Sequence, residues 1–375
     1  MAKGGKHDSL LVEPPVLLYQ EESVPVKGIG CVAIKDIKKG NLVLREVPQL
    51  FQADEEIIRD PNTSTMQKFL QIADGVMKSF LGMSREDQES YMKLHNNYDS
   101  KSWSAGMMLD YSFVMQATGQ MTFPNISKDK AFKVWAIYKT NAFDNGVCLK
   151  MSRFNHSCRP NAQWFWNDDT SSQDLRALRK IRQGEEITLS YIPNMVSWAA
   201  RRAKLKGSFN FDCSCEACDV TEAQIKEEAE SFAAFGKEMA RVGFLQIKTA
   251  ANFSDPDLQN VLRREKAATL KRVYNLAKKM KTLSRRRILE EIVLRGLESN
   301  CEGLLGELYS KNRKDVKAAW MNEAKKFAVV GLDISKTLNG EEHTETKGWK
   351  ERVADPIKFY LKKNNVIVKH VSKQL

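Results

Sequence analysis

The 375-residue sequence lacks any uninterrupted apolar run near the roughly 20 residues that a membrane-spanning helix needs. Its opening, MAKGGKHDSLL, lacks the apolar core of a secretory signal, so the nucleus or the cytoplasm is the expected compartment, without membrane attachment. Cysteine is sparse. The seven cysteines are too few and too unevenly spaced for a disulfide framework, and three fall within six residues at Cys213, Cys215 and Cys218. That cluster reads as metal binding, against the alternative of reduced surface thiols. The glycines Gly28 and Gly30 have no third glycine in GxGxxG register and no strand, helix and acidic residue to follow, which disfavours a dinucleotide fold. They fit either a tight turn or a close backbone approach to a ligand. No repeat period is present.

What is there suits a globular chain of one large or two ordinary domains, 42% of it hydrophobic. The net charge of +12 favours acidic partners, nucleic acid among them, although charge bears on association rather than on fold. Basic clusters at Lys278, Lys279 and Lys281 and at Arg285, Arg286 and Arg287 could meet phosphates. They come without a base-reading motif, and a solvated helix face explains them equally well.

Residues 26 to 50 alternate apolar residues with glycine and charge, as short antiparallel strands do. From about Asp54 to Trp135 apolar residues recur at three and four, predicting a helical insertion. Strand character returns in VCLKMSRFN, AQWFWND, DLRALRKI and EEITLSYI, so the sheet is assembled from both sides of the insertion. Glu185 and Glu186 are read as part of a hairpin turn. After Cys218 the periodicity is helical to about Leu338, and the polar tail after Gly340 turns weakly strand-like. Cys31, Cys148 and Cys301 are expected to be buried as small apolar residues.

RFNHSCRPNA, Arg153 to Ala162, concentrates polar residues between two apolar strands. By itself it could be a loop whose asparagines bond their own backbone, or a Cys and His pair with no orienting partner. The ordered series is more specific. KGIG from Lys27, NAF from Asn141, NHSCRPN from Asn155, GEEITLSY ending at Tyr191 and CxCxxC from Cys213 resemble the signature of the SET-domain protein lysine methyltransferases over roughly residues 15 to 219. The likeness is to the SET and MYND type, with one departure: no cysteine lies between Cys31 and Cys148, so the MYND zinc finger is absent.

The resemblance implies an α+β fold. A SET domain over 15–192, split by the insertion at about 54–135, is followed by a zinc-binding post-SET segment (193–219), an α-helical C-terminal domain (220–340) and a tail (341–375). It implies that Lys27, Gly28, Ile29, Gly30, Asn141, Asn155, His156 and Phe211 hold S-adenosylmethionine. Tyr191 also touches the cofactor and acts in catalysis, while Leu189 and Phe209 line the channel for a substrate lysine. Three clustered cysteines are one ligand short of a tetrahedral zinc site, and the resemblance supplies Cys158 beside Cys213, Cys215 and Cys218. The implied substrate is a lysine of a histone or nonhistone protein; a basic enzyme and a basic histone tail repel unless the groove is locally acidic. Phe209 stands where relatives often carry tyrosine, which keeps in view a rival reading as a catalytically weak scaffold for cofactor or peptide.

Overall fold

The computed structural model describes residues 17–49, 64–97, 126–143, 146–192, 197–251, 255–280, 285–306 and 314–363. Its strands are β1 (Tyr19–Val24), β2 (Gly28–Ala33), β3 (Leu42–Glu46), β4 (Ala142–Phe143), β5 (Gly146–Val147), β6 (Ala162–Asn167), β7 (Ser172–Ala177) and β8 (Glu186–Ile187). They form two three-stranded antiparallel sheets, ordered β1-β2-β8 and β3-β7-β6, and the two-stranded β4-β5 ribbon. Both larger sheets join strands from either side of the insertion, as the sequence predicts. Their inner faces share a core of Val43, Phe154, Leu175 and Ile187.

The insertion contributes α1 (Thr65–Gly82), α2 (Arg85–Met92) and α3 (Lys128–Asn141), each opened by a serine cap at Ser64, Ser84 and Ser127. Val76, Phe80, Tyr91, Val134 and Ile137 pack into a separate core. The last helix runs to Asn141 rather than ending near Trp135, and the Asn141 side-chain amide donates to the carbonyls of Ile137 and His95. Residues 54–63 and 98–125 of the predicted insertion lie outside the described residues.

VCLKMSRFN departs from the strand expectation: beyond β5 it forms a 3₁₀ turn, Met151–Arg153. The cause is Glu46. This carboxylate, 3% exposed, accepts the backbone N–H groups of Lys150 and Met151 at 2.9 and 2.8 Å. Burial pushes its pKa up to about 7, against the pull of those hydrogen bonds. A folded pKa above the unfolded 4.5 means the contribution is fully present below 4.5 and is lost as pH rises through 7. Between those limits the wild type is expected to lose on the order of 3 kcal/mol relative to Glu46→Gln. Urea unfolding across this pH range checks it, and parallel profiles for the two proteins would reject it.

The helices after the sheets are α4 (Trp198–Phe209), α5 (Glu222–Ala251), α6 (Pro256–Lys279), α7 (Arg285–Gly306), α8 (Lys314–Asn339), α9 (Thr344–Ala354) and α10 (Pro356–Lys363). From α5 to α8 each packs on the next. The tail expectation is corrected: residues 344–363 are helical, and the helical domain therefore runs past 340. Trp349, Val353, Ile357 and Leu361 recur every four residues and join its core. Residues 364–375 lie outside the described residues, as does Lys281. Trp349 lies so close over α8 that a Cβ at Gly331 would fall 2.1 Å from its ring. Gly331→Ala is expected to cost about 3 kcal/mol or more, read by denaturant unfolding. No described helix is long and apolar enough to cross a membrane.

Candidate active site

Two distant segments cross at the centre of the β part. The Leu189 N–H donates to the Asn155 carbonyl and the Ser157 N–H to the Leu189 carbonyl, both at 3.0 Å. This lacing explains why EEITLSYI yields only the two-residue β8 beside β2; beyond it the chain pairs with the NHSC segment instead. Tyr191 is held at both ends. Its backbone N–H donates to His156 Nδ1 and its hydroxyl to the Phe154 carbonyl, each at 3.0 Å. Burial pushes the phenol pKa up, so the hydroxyl keeps its proton.

Around this crossing opens a cavity of about 790 Å³, in the range of cofactor sites. Six stretches and Trp164 wall it: the β1-β2 turn, Lys93–Asn97, Lys139–Phe143, the segment Met151–His156, Leu189–Tyr191, and Phe209–Cys215. Of the residues anticipated from the sequence, Lys27, Gly28, Ile29, Asn141, Asn155, His156, Leu189, Tyr191, Phe209 and Phe211 all line it. Gly28 has φ +79, the left-handed backbone that favours glycine in a turn.

Two expectations change. Gly30 is not on the cavity wall: a Cβ there would fall 2.6 Å from Asn155 Nδ2 and 2.8 Å from Val24, so its smallness lets Asn155 lie close against β2. The His156 ring has both nitrogens engaged, one by Tyr191 and the other 3.2 Å from Cys158 Sγ, and offers the cavity no free ring nitrogen. Glu186 also leaves its predicted turn for β8. There it accepts from Asn155 Nδ2 at 3.0 Å and pairs with Lys27 at 2.6 Å.

The four cysteines meet. Their sulfurs lie within 4.8 Å of one another, with Cys158–Cys218 at 3.5 Å and Cys158–Cys213 at 4.0 Å. A tetrahedral zinc site with bonds of about 2.3 Å places sulfurs roughly 3.8 Å apart, whereas a disulfide needs about 2.05 Å. The set fits a metal. Hydrogen bonds from Cys158 push Cys213 and Cys215 toward the thiolate. Helix α4, not anticipated in the post-SET segment, grips the cysteine loop by its carbonyls: Trp198 donates to Cys218, Arg201 to Ala217 and Arg202 to Cys213. It ends at Asn210, φ 56, whose left-handed turn throws Phe209 and Phe211 onto the cavity. Cys31, Cys148 and Cys301 are buried, as expected, and burial raises each thiol, Cys301 to about 12.

Several wall residues escaped the sequence reading. Trp164 lies edge-on to Phe143 with ring centroids 5.1 Å apart, Tyr191 lies tilted against Phe209 at 4.9 Å, and all four rings line the cavity. Strand alternation in AQWFW puts Trp164 on the face of buried Ala162, a signal that was available. Asn97 had none. Its amide donates to the Ser208 carbonyl at 2.8 Å, fastening the insertion to the last turn of α4.

A family model described as the SET domain matches residues 28–192. A SET domain-containing protein of Acanthamoeba polyphaga mimivirus is 26% identical over 226 residues, covering 56% of this chain and 81% of that protein. Histone-lysine N-methyltransferase set5 of Schizosaccharomyces pombe is 25% identical over 211 residues, 56% of this chain and 53% of that one. Histone-lysine N-methyltransferase Smyd1 of Mus musculus is 37% identical over 84 residues, 20% of this chain and 17% of that one. The chain thus spans about half or less of the two named enzymes. The crossed segments lie within residues 28–192, the part of the chain that is similar to the SET domain.

Proposed function

We propose that the chain is an S-adenosylmethionine-dependent protein-lysine N-methyltransferase with one structural zinc ion. The observation that carries the reading is the convergence on Tyr191. Groups suited to a nucleoside-bearing cofactor (Lys27, Asn141, Asn155, Phe211) and aromatic rings suited to an alkyl amine (Phe143, Trp164, Phe209) line one cavity together with it. When bound, the cofactor supplies a methyl group on a positively charged sulfur, open to direct displacement by an amine.

A lysine attacks only as the neutral amine, although its free pKa is about 10.4. The four rings remove water from around it, and desolvation disfavours the ammonium form, so no strong side-chain base is needed. Tyr191 contributes placement: its phenol, neutral and anchored to Phe154, is a fixed dipole at the cavity wall. Substrates on this reading are nuclear or cytoplasmic proteins, histone or nonhistone.

The test incubates the zinc-retaining protein with methyl-labelled cofactor and a whole-cell protein extract, beside Tyr191→Phe. Tyr191-dependent label on protein bands supports the proposal. Cofactor binding by calorimetry without any label favours the scaffold reading instead.

A further inference from the structure

We infer that His156 is a positioning residue coupling the four-cysteine site to Tyr191, so that zinc occupancy governs where the tyrosine stands. The functional consequence rests on the methyltransferase reading; the geometry does not.

The direction of the relay follows from which atoms can donate. A backbone N–H only donates, so His156 Nδ1, 3.0 Å from the Tyr191 nitrogen, must accept and carries no proton. With Nδ1 accepting, the ring proton sits on Nε2, which lies 3.2 Å from Cys158 Sγ and donates to the sulfur. A neutral thiol is a weak acceptor. A metal-bound thiolate is charged and accepts strongly, and zinc binding removes the protons from all its thiol ligands. Filling the site thus strengthens the bond that fixes the ring, and the fixed ring holds the Tyr191 backbone.

The ring itself has little freedom. His156 is 4% exposed, with Tyr191 and Phe211 rings at 5.3 and 5.9 Å restricting its rotation. The other tether of Tyr191, from its hydroxyl to the Phe154 carbonyl, returns to the same segment. Both ends of the tyrosine are therefore referred to residues 154–156, and Cys158, two residues on, is the metal ligand that anchors this stretch. Groups that hydrogen-bond to metal ligands typically matter 10- to 100-fold in metal affinity.

The test uses full-length protein labelled with ¹⁵N-tyrosine, the Tyr191 resonance being identified by its loss in Tyr191→Phe. Stripping zinc with a chelator is expected to shift the Tyr191 amide proton while those of Tyr274 and Tyr360, in the helical domain, stay in place. In His156→Phe, chelator competition is expected to show zinc held roughly 10- to 100-fold more weakly, with the Tyr191 amide displaced even when zinc is bound. His156→Gln, whose amide both donates and accepts, is expected to recover part of both. An unmoved Tyr191 amide in stripped wild-type protein, or wild-type zinc affinity in His156→Phe, overturns the inference. If His156→Phe does not fold, the wild-type zinc titration decides alone. None of these readings uses methyl transfer, so a protein that methylates nothing would sink the proposed function and leave this question separately answered.

Discussion

Tyr191→Phe is expected to lower kcat roughly 100- to 1000-fold while cofactor affinity stays within a few-fold of wild type. The substitution is a clean one here. The phenyl ring keeps its packing on Phe209 and the backbone N–H keeps its bond to His156, so only the hydroxyl goes. Its loss also strands the Phe154 carbonyl, which adds a stability cost of about 1–3 kcal/mol if no water reaches it. Steady-state kinetics with calorimetry on the same preparation separate the two effects: a misfolded variant loses binding, whereas a correctly folded one loses turnover. A variant retaining more than about a tenth of wild-type kcat would remove the hydroxyl from the mechanism.

Zinc removal, by chelation or by Cys213→Ser, is expected to take cofactor binding away, with affinity falling at least about 100-fold. The magnitudes decide this. Among the described residues the small core under the cysteine loop fully buries, besides cysteines, Ile192 and Leu205, worth about 2 kcal/mol each, with Tyr191, Phe209, Phe211 and Ala217 partly buried against it. Ordering residues 197–219 costs backbone entropy of roughly 1–2 kcal/mol per residue, far beyond that gain. Metal ligation has to supply much of the difference, and structural zinc provides about 10–16 kcal/mol in small zinc-binding peptides. The larger cores of the sheets and of the helical domain share no fully buried residue with this cluster, Tyr191 packing against both it and the sheet core, so they are expected to survive. Metal analysis should show one zinc falling to none, and hydrogen exchange should rise mainly across 197–219. Unchanged cofactor affinity in metal-free protein would show that the aromatic wall stands without it.

The parts of the site legible in the sequence were those fixed by short, ordered motifs. NHSC, the terminal tyrosine of GEEITLSY and CxCxxC each specify a local geometry, and the structure brings them together. What was missed depends on tertiary placement. Glu186 looked like a turn acid because an adjacent pair of glutamates says nothing about which one a neighbouring strand will bury. Glu46 turned VCLKMSRFN away from strand geometry through a carboxylate over 100 positions distant, which no local propensity registers. Trp349 and Ile357 carried a readable four-residue spacing, obscured by the polar stretch before them. His156 was visible as a residue but not as a relay, since the commitment of its two nitrogens is a fact of packing.

The pairing of strands across the insertion also orders events during synthesis. Cys31 on β2 meets Ile187 on β8, its partner 156 positions later. At about 5–20 residues per second, translation leaves the first strands waiting on the order of ten to thirty seconds with their edges open. The helices from α5 onward, each packing on its neighbour in sequence, face no such delay. Nascent chains halted before β8 are therefore expected to be sticky and protease-sensitive. Release just beyond Cys218 should yield a fragment able to take up zinc, which makes the candidate site the last piece of the β part to exist.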